Sequence, residues 1–426
     1  MPLAALIAAV AVVWTSAGAA AEDSQKSGDD SNFNSTSERF HEEAPRPGVR
    51  TIRYWTGHSV NPVDGRTYTY DIVGADPGTG RAATIEVDII PLNVTVAGRA
   101  FNGSDAKEAI LASPLFKRGN YATTGAATTF NPATGFGTGS GGALSAGNTN
   151  VQLLDATMRS QFNKVGSGYH LYLKPEFRRP VTIDVPAIDG LIRTNPATHI
   201  GYAVVDNTWF QPLVENLIPQ LHLNPQRLAV FLTNDVVLFS DHMPTHCCEF
   251  GAHGSVPTTS RLDDEGDGRS RPGVQTFVWA SWMTAGFFSV NPIQSWAKQD
   301  ISGLSHEITE WANNPFGTNA VATWKSPSAP QYGCSSLLET GDPTANIGFS
   351  IGVNTFDQNA FSDGTYHPQD EAFLPWFMRT SPNHVSQPTQ SNPTVGRYTF
   401  MGDLNPFPFF HQPAAQPPPP VPPPPC

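Results

Sequence analysis

Along most of this chain apolar residues alternate with polar ones or run unbroken over short stretches, and only a few segments carry helical spacing. Thr84 to Val96 and Tyr169 to Leu173 read as strands on this pattern. The apolar run Arg227 to Phe239, interrupted only at Thr233-Asn234-Asp235, predicts strand buried on both faces, as does Phe277 to Met283. Helices are predicted near Val151 to Asn163, after Asp206 with Trp209, Leu213 and Leu217 on one stripe, and around Ile301, Leu304, Ile308 and Trp311.

The ends differ from the middle. An apolar run from Leu3 to Trp14, followed by small residues finishing Ala19-Ala20-Ala21, has the form of a signal peptide over residues 1–21 and is too short to span a bilayer. Residues 22–48 are polar and read as a disordered leader, with folded sequence beginning near Val49. Residues 49–189 form a β-rich region whose Gly135 to Gly147 loop lacks the context of a phosphate-binding fingerprint. Residues 190–400 alternate helix with buried strand, and 401–426 are a proline-rich tail that favours an extended, stiff form. The fold class expected is therefore α+β (or α/β) with a mixed sheet, in a protein that is secreted, extracellular or periplasmic.

Charge narrows the partners. With 37 acidic against 25 basic residues the net charge is -12, which argues against nucleic acid or an anionic membrane surface. The 37 glycines and 39 prolines suit a loop-rich extracellular protein. Four cysteines, Cys247, Cys248, Cys334 and Cys426, are placed so that Cys334 could bridge to either of the adjacent pair, and spacing leaves the connectivity open.

The chemistry concentrates in Ser305-His306-Glu307-Ile308-Thr309-Glu310-Trp311. Residues four apart on a helix point the same way, so His306 and Glu310 can share one cation, with Glu307 beside them as a base. The alternative is an ordinary surface pair on a wet helix face. Asp300 or Ser302 is expected to cap this helix and Asn313-Asn314-Pro315 to end it. A zinc site needs a third protein ligand. Asp342, in Leu338-Glu339-Thr340-Gly341-Asp342-Pro343, is the first choice, with Glu339, His253 and His367 as the others. His367 is a candidate catalytic donor as well, and His253 gains a role only if the fold returns it to His306. Asp241-His242-Met243-Pro244-Thr245-His246-Cys247-Cys248 reads as a bridged, solvated loop in preference to a second metal site, and Asp263 to Gly268 as a solvated acidic turn in preference to a calcium loop. No G-x-S-x-G serine elbow is present.

Ser305-His306-Glu307-Ile308-Thr309-Glu310 with Asn314-Pro315, preceded by Leu228 to Phe239 and Cys248 to Ser255, resembles the exordium-like (phosphate-induced) family of extracellular plant proteins and their microbial relatives. Chain order agrees, although one extra residue separates Cys248 from Gly251. Secreted bacterial proteins that join an S-H-E-x-x-E-W helix to an L-E-x-G-D-P turn and a Y-H-P-Q-[DE]-x-A-F segment are more similar still, here through Leu338 to Pro343 and Tyr366 to Phe373. The resemblance spans roughly residues 190 to 380. It implies an extracellular protein of growth or cell-wall signalling with a helix like that of zincin peptidases.

Two functions are carried forward. One is a secreted zinc-dependent hydrolase, peptidase-like, in which His306, Glu310 and Asp342 bind zinc, Glu307 activates water, His367 or His253 assists, and a peptide or cell-surface molecule is the substrate. The other is a non-enzymatic extracellular signalling or binding protein in which a structural metal or an ion pair holds the same helix. A carbohydrate-active surface protein is a third, suggested by the aromatics and the acidic balance.

Overall fold

The computed structural model describes residues 40–119, 129–131, 136–138, 150–260, 271–287, 299–327, 333–345, 347–356, 359–380 and 398–400. The signal-peptide segment, most of the glycine-rich loop, the 263–268 acidic turn, the proline-rich tail and Cys426 lie outside the described residues. Phe40 and His41, within the leader expected to be disordered, are packed: the Phe40 ring is buried against Phe277 at 5.3 Å, and the backbone of His41 donates to Glu215.

The architecture is α+β, built on mixed sheets. Its centre is the long strand β3 (Ala82–Val96). On one side β3 runs parallel to β11 (Leu228–Asn234) and antiparallel to β4 (Arg99–Asn102); on the other it runs parallel to β7 (His170–Phe177) and β8 (Val181–Asp184). Beyond β11 lie parallel β15 (Arg271–Trp282) and then antiparallel β14 (Gly251–Ser260), which forms the sheet edge. Strands from the early and late halves of the chain thus share one sheet.

A second sheet has the order β13 (Cys247–Glu249), β12 (Val236–Phe239), β10 (Gly201–Asp206), β9 (Gly190–Thr194). The hairpin β1 (Tyr54–Val60) and β2 (Thr67–Val73), the pair β5 (Thr129–Asn131) and β6 (Phe136–Thr138), and the pair β16 (Ala320–Lys325) and β17 (Cys334–Leu337) complete the strands. The polar break in the long apolar run is where the chain changes sheets. Asp235 takes a left-handed φ of 53°, its carboxylate accepts from the backbone and hydroxyl of Thr284, and β12 leaves in a new direction.

Side-chain alternation on the large sheet feeds two cores. Val230 and Leu232 of β11 with Val278 and Ala280 of β15 face one, together with helix α2 (Leu153–Gln161) and helix α4 (Ser302–Asn313). Ala229, Phe231, Phe277 and Trp279 face the other, with helix α3 (Asn207–Gln220). Both faces are covered, which explains the unbroken apolar runs. Two short helices, α1 (Lys107–Ala112) and α5 (Leu374–Phe377), close the list.

On α3 the deepest residues are Phe210, Val214, Leu217 and Ile218, while Trp209 and Leu213 only flank the core, so the buried stripe is rotated from the expected one. Asp206 does cap this helix: its carboxylate accepts from the backbone N–H and hydroxyl of Thr208. Asp206→Ala should lower the unfolding free energy by about 1 kcal/mol. Urea denaturation checks this, and an unchanged midpoint would show that the cap is dispensable.

Candidate metal centre

Helix α4 does not have a wet face. From Ser302 to Asn313 every residue except His306 is buried, which removes the surface-pair reading. One side carries Leu304, Ile308 and Trp311 into the core, and the Trp311 indole donates to Thr276 of β15. Its start differs from expectation: Ile301 is the cap position and makes no side-chain capping bond. Asp300 is engaged elsewhere, with His367.

The polar side of α4 is covered by three segments. From β14 comes His253, whose Nδ1 lies 3.3 Å from Glu307 Oε2 and 3.7 Å from Glu310 Oε2. The turn after β17 brings Glu339 and Asp342. Glu310 Oε1 accepts from the backbone N–H groups of Gly341 and Asp342, at 2.9 and 3.2 Å, so the helix itself fixes the turn. The third cover is the 366–373 segment, where Gln369 donates to the Gly341 carbonyl and its backbone N–H to Ser305.

These contacts bring the predicted ligands together. His306 Nε2 lies 3.1 Å from Glu310 Oε2, 3.7 Å from Asp342 Oδ1 and 3.7 Å from Glu307 Oε1. Ligand atoms of His306, Glu310 and Asp342 all fall within 4.8 Å of one another, as do those of His253, Glu307 and Glu310. Tetrahedral zinc with bonds of about 2.0–2.1 Å separates its ligand atoms by ~3.3 Å, close to the spacings seen. Asp342 therefore joins the His306 set. Glu339 instead stands behind His253, 3.6 Å from its Nε2, and accepts from the Asn314 amide.

Two glycines permit this closeness. A Cβ on Gly341 would stand 2.6 Å from His306 Nδ1, and one on Gly251 would stand 2.5 Å from Glu307 Cγ.

Electrostatics make the cluster unusual. Among the described residues no lysine or arginine pairs with Glu307, Glu310, Asp342 or Glu371, and all four are buried. Burial pushes the Glu307, Asp342 and Glu371 carboxyls up, Asp342 and Glu371 well above the usual range. Burial acts on Glu310 too, but His306 beside it brings its pKa below the usual value. For the imidazoles burial works downward, yet the surrounding carboxylates win: Glu339, Glu307 and Glu310 raise His253 to about 10, and Glu310 and Glu307 raise His306 strongly.

His367 sits apart from these ligand sets. Its Nδ1 is 2.8 Å from Asp300 and its Nε2 is 3.2 Å from Asp363 and from Thr365, with the Gln299 amide also on the ring. The ring is fully buried and anchors the 366–373 segment to the start of α4. In the loop before β14, His242 pairs with Asp206 and His246 with Asp241, and no ligand set forms there among the described residues. Cys247 and Cys248 face each other as a disulfide-like adjacent pair. Glu371 is the residue that sequence reasoning passed over. Its signal was the acidic pair Asp370-Glu371 directly before the apolar run Ala372-Phe373-Leu374.

No protein-family model matches the chain, and neither the characterised proteins nor the solved structures contain a significant match. No described helix is long and apolar enough to cross a membrane.

Two outcomes follow. Gly341→Ala drives a methyl into the His306 ring and should weaken zinc binding by at least ~10-fold; competition against a chelating dye measures it, and unchanged affinity would remove His306 from the site. Burial opposes protonation of His367, but Asp300 and Asp363 carry its pKa up to about 9. Its folded value lies above the unfolded one of ~6.5, so the stabilisation is whole below that pH and disappears as pH rises through the folded value, at most about 3 kcal/mol. Urea unfolding of the wild type should weaken across this window and that of His367→Gln should not; parallel curves would refute the pairing.

Proposed function

We propose that the chain is a secreted, zinc-dependent hydrolase of the peptidase type, with His306, Glu310 and Asp342 as ligands and Glu307 as general base. The observation that carries this is the convergence of the three ligand atoms at coordinating spacing, with a fourth carboxylate alongside that is not needed to complete the set. Zinc at this position supplies a Lewis acid that polarises a carbonyl and acidifies water.

The chain's own residues do the rest. Glu307 Oε1 faces the His306 side of the cluster, placed to take a proton from water as the water oxygen bonds to the carbonyl carbon. That proton then passes to the leaving nitrogen as the carbon–nitrogen bond breaks. Burial favours such transfer by raising the Glu307 carboxyl above its usual range, which makes it a stronger base. His253, held by Glu339 and Glu307, is the nearest donor for the developing oxyanion, a role for which His367 is less suited because Asp300 and Asp363 hold its ring. His306 has the most solvent-accessible side chain of the cluster, 13% against 9% or less for its neighbours, so substrate approaches over it.

The second reading is a non-enzymatic extracellular protein with a structural metal. It draws on the depth of burial and on the ligands in excess of three, since structural zinc is closed by a fourth protein ligand. Glu307→Gln separates the two. The enzyme reading expects zinc and fold to be retained while hydrolysis of a mixed peptide library falls ~10²–10⁴-fold; absence of hydrolysis in the zinc-loaded wild type would favour the structural role.

A further inference from the structure

We propose that the cluster is a two-cation centre, in which Glu310 Oε2 bridges one divalent ion held by His306 and Asp342 and a second held by His253 and Glu307. The inference rests on the metal-site reading above and extends it from one ion to two.

The geometry carries it. Both imidazoles address the same oxygen, His306 Nε2 at 3.1 Å and His253 Nδ1 at 3.7 Å. Among the described residues the two histidines fall in different ligand sets that share Glu310. A single ion with bonds of about 2.0–2.1 Å would need their nitrogens within ~4.2 Å. The two rings therefore flank Glu310 instead of sharing one ion, and each has a carboxylate of its own, Asp342 or Glu307. Carboxylate-bridged pairs of ions typically stand ~3.5–4 Å apart.

The surroundings are built for a histidine ligand at the second position. Glu339 lies behind His253, 3.6 Å from its Nε2, and is itself fixed by the Asn314 amide, so a carboxylate stands on the Nε2 side to favour the proton there once a cation takes the Nδ1 lone pair between Glu307 and Glu310. Gly251, two residues before His253 on β14, lets Glu307 lie against the strand.

Charge balance points the same way. Glu307, Glu310, Glu339, Asp342 and Glu371 are all buried, and Glu371 lies near enough to feel the charges of His306 and Glu310. A second divalent ion compensates more of this carboxylate charge than a single ion does. With the second ion present Glu307 Oε2 is a ligand, its Oε1 stays on the His306 side, 3.7 Å from Nε2, and the oxyanion role given to His253 in the one-ion reading passes to the second ion.

Full-length protein is loaded with Co²⁺ and the bound metal is measured by equilibrium dialysis with elemental analysis, alongside electron paramagnetic resonance. The wild type should hold two equivalents, with the high-spin signal rising to one equivalent and losing intensity per ion as the second couples to the first. His253→Gln and Asp342→Asn should each hold one equivalent without coupling, and Glu310→Gln should lose coupling and weaken both. Thermal melts of each variant establish that it is folded, and the wild-type titration needs no variant. Saturation of the wild type at one equivalent, or two retained by His253→Gln, overturns the second ion. Saturation at one leaves the single-zinc hydrolase standing, whereas failure to bind any cobalt or zinc removes both.

Discussion

The structure depends on the burial of negative charge on one side of α4. A carboxylate in an apolar interior must be paired, protonated or bound to a cation. Here the described partners of Glu307 and Glu310 are imidazoles and backbone N–H groups, not ammonium or guanidinium groups. This arrangement shapes the neighbouring chain. By accepting two backbone N–H groups, Glu310 Oε1 sets the conformation of the 339–342 turn and so delivers Asp342 to His306, leaving Oε2 for the imidazoles. One side chain thus organises a loop and shapes a site.

The fold supplies the rigidity that such a cluster requires. His253 projects from a strand paired along its length with β15, a strand buried on both faces. Helix α4 approaches the start of β14 closely enough that a Cβ on Gly303 would meet Phe250 at 2.8 Å. Donors placed on a sheet edge and a packed helix are held more firmly than donors on loops, and the one loop involved is tied down by Glu310, Gln369 and Ser326. The 366–373 segment adds a further tie through the buried His367–Asp300 pair.

Much of this was legible in the sequence, for definite physical reasons. Fixed helical geometry sets His306 and Glu310 on one side of α4, so that relation needed no tertiary information. Burial of the strands from Leu228 onward followed from their unbroken apolar character, and the sheet change fell at the polar Thr233-Asn234-Asp235 interruption. The end of α4 at Asn313 followed from Pro315. Relations through space were not legible. Whether His253 returned to His306 depended on β14 occupying the edge beside β15, and the division of labour between Glu339 and Asp342 depended on which turn carbonyls and amides met Glu310 and Asn314. The start of α4 also misled: Asp300 has the composition of a cap, but a buried histidine competes for the same carboxylate and wins.

A ligand set rich in carboxylates has a chemical consequence. Anionic ligands donate more charge to zinc than neutral imidazoles do, so a single ion held by one histidine and two carboxylates acidifies water less than one held by two or three histidines. Two compensations are available within this cluster. A base whose pKa is raised by burial, as Glu307's is, accepts a proton more readily from a less acidic water. A second cation sharing Glu310 withdraws charge from the bridging oxygen and restores the electrophilicity that the carboxylates remove. The first device needs only Glu307 and its burial. The second also gives His253, Glu339 and Asn314 a joint purpose, which is why the stoichiometry of bound metal decides between them more directly than a rate does.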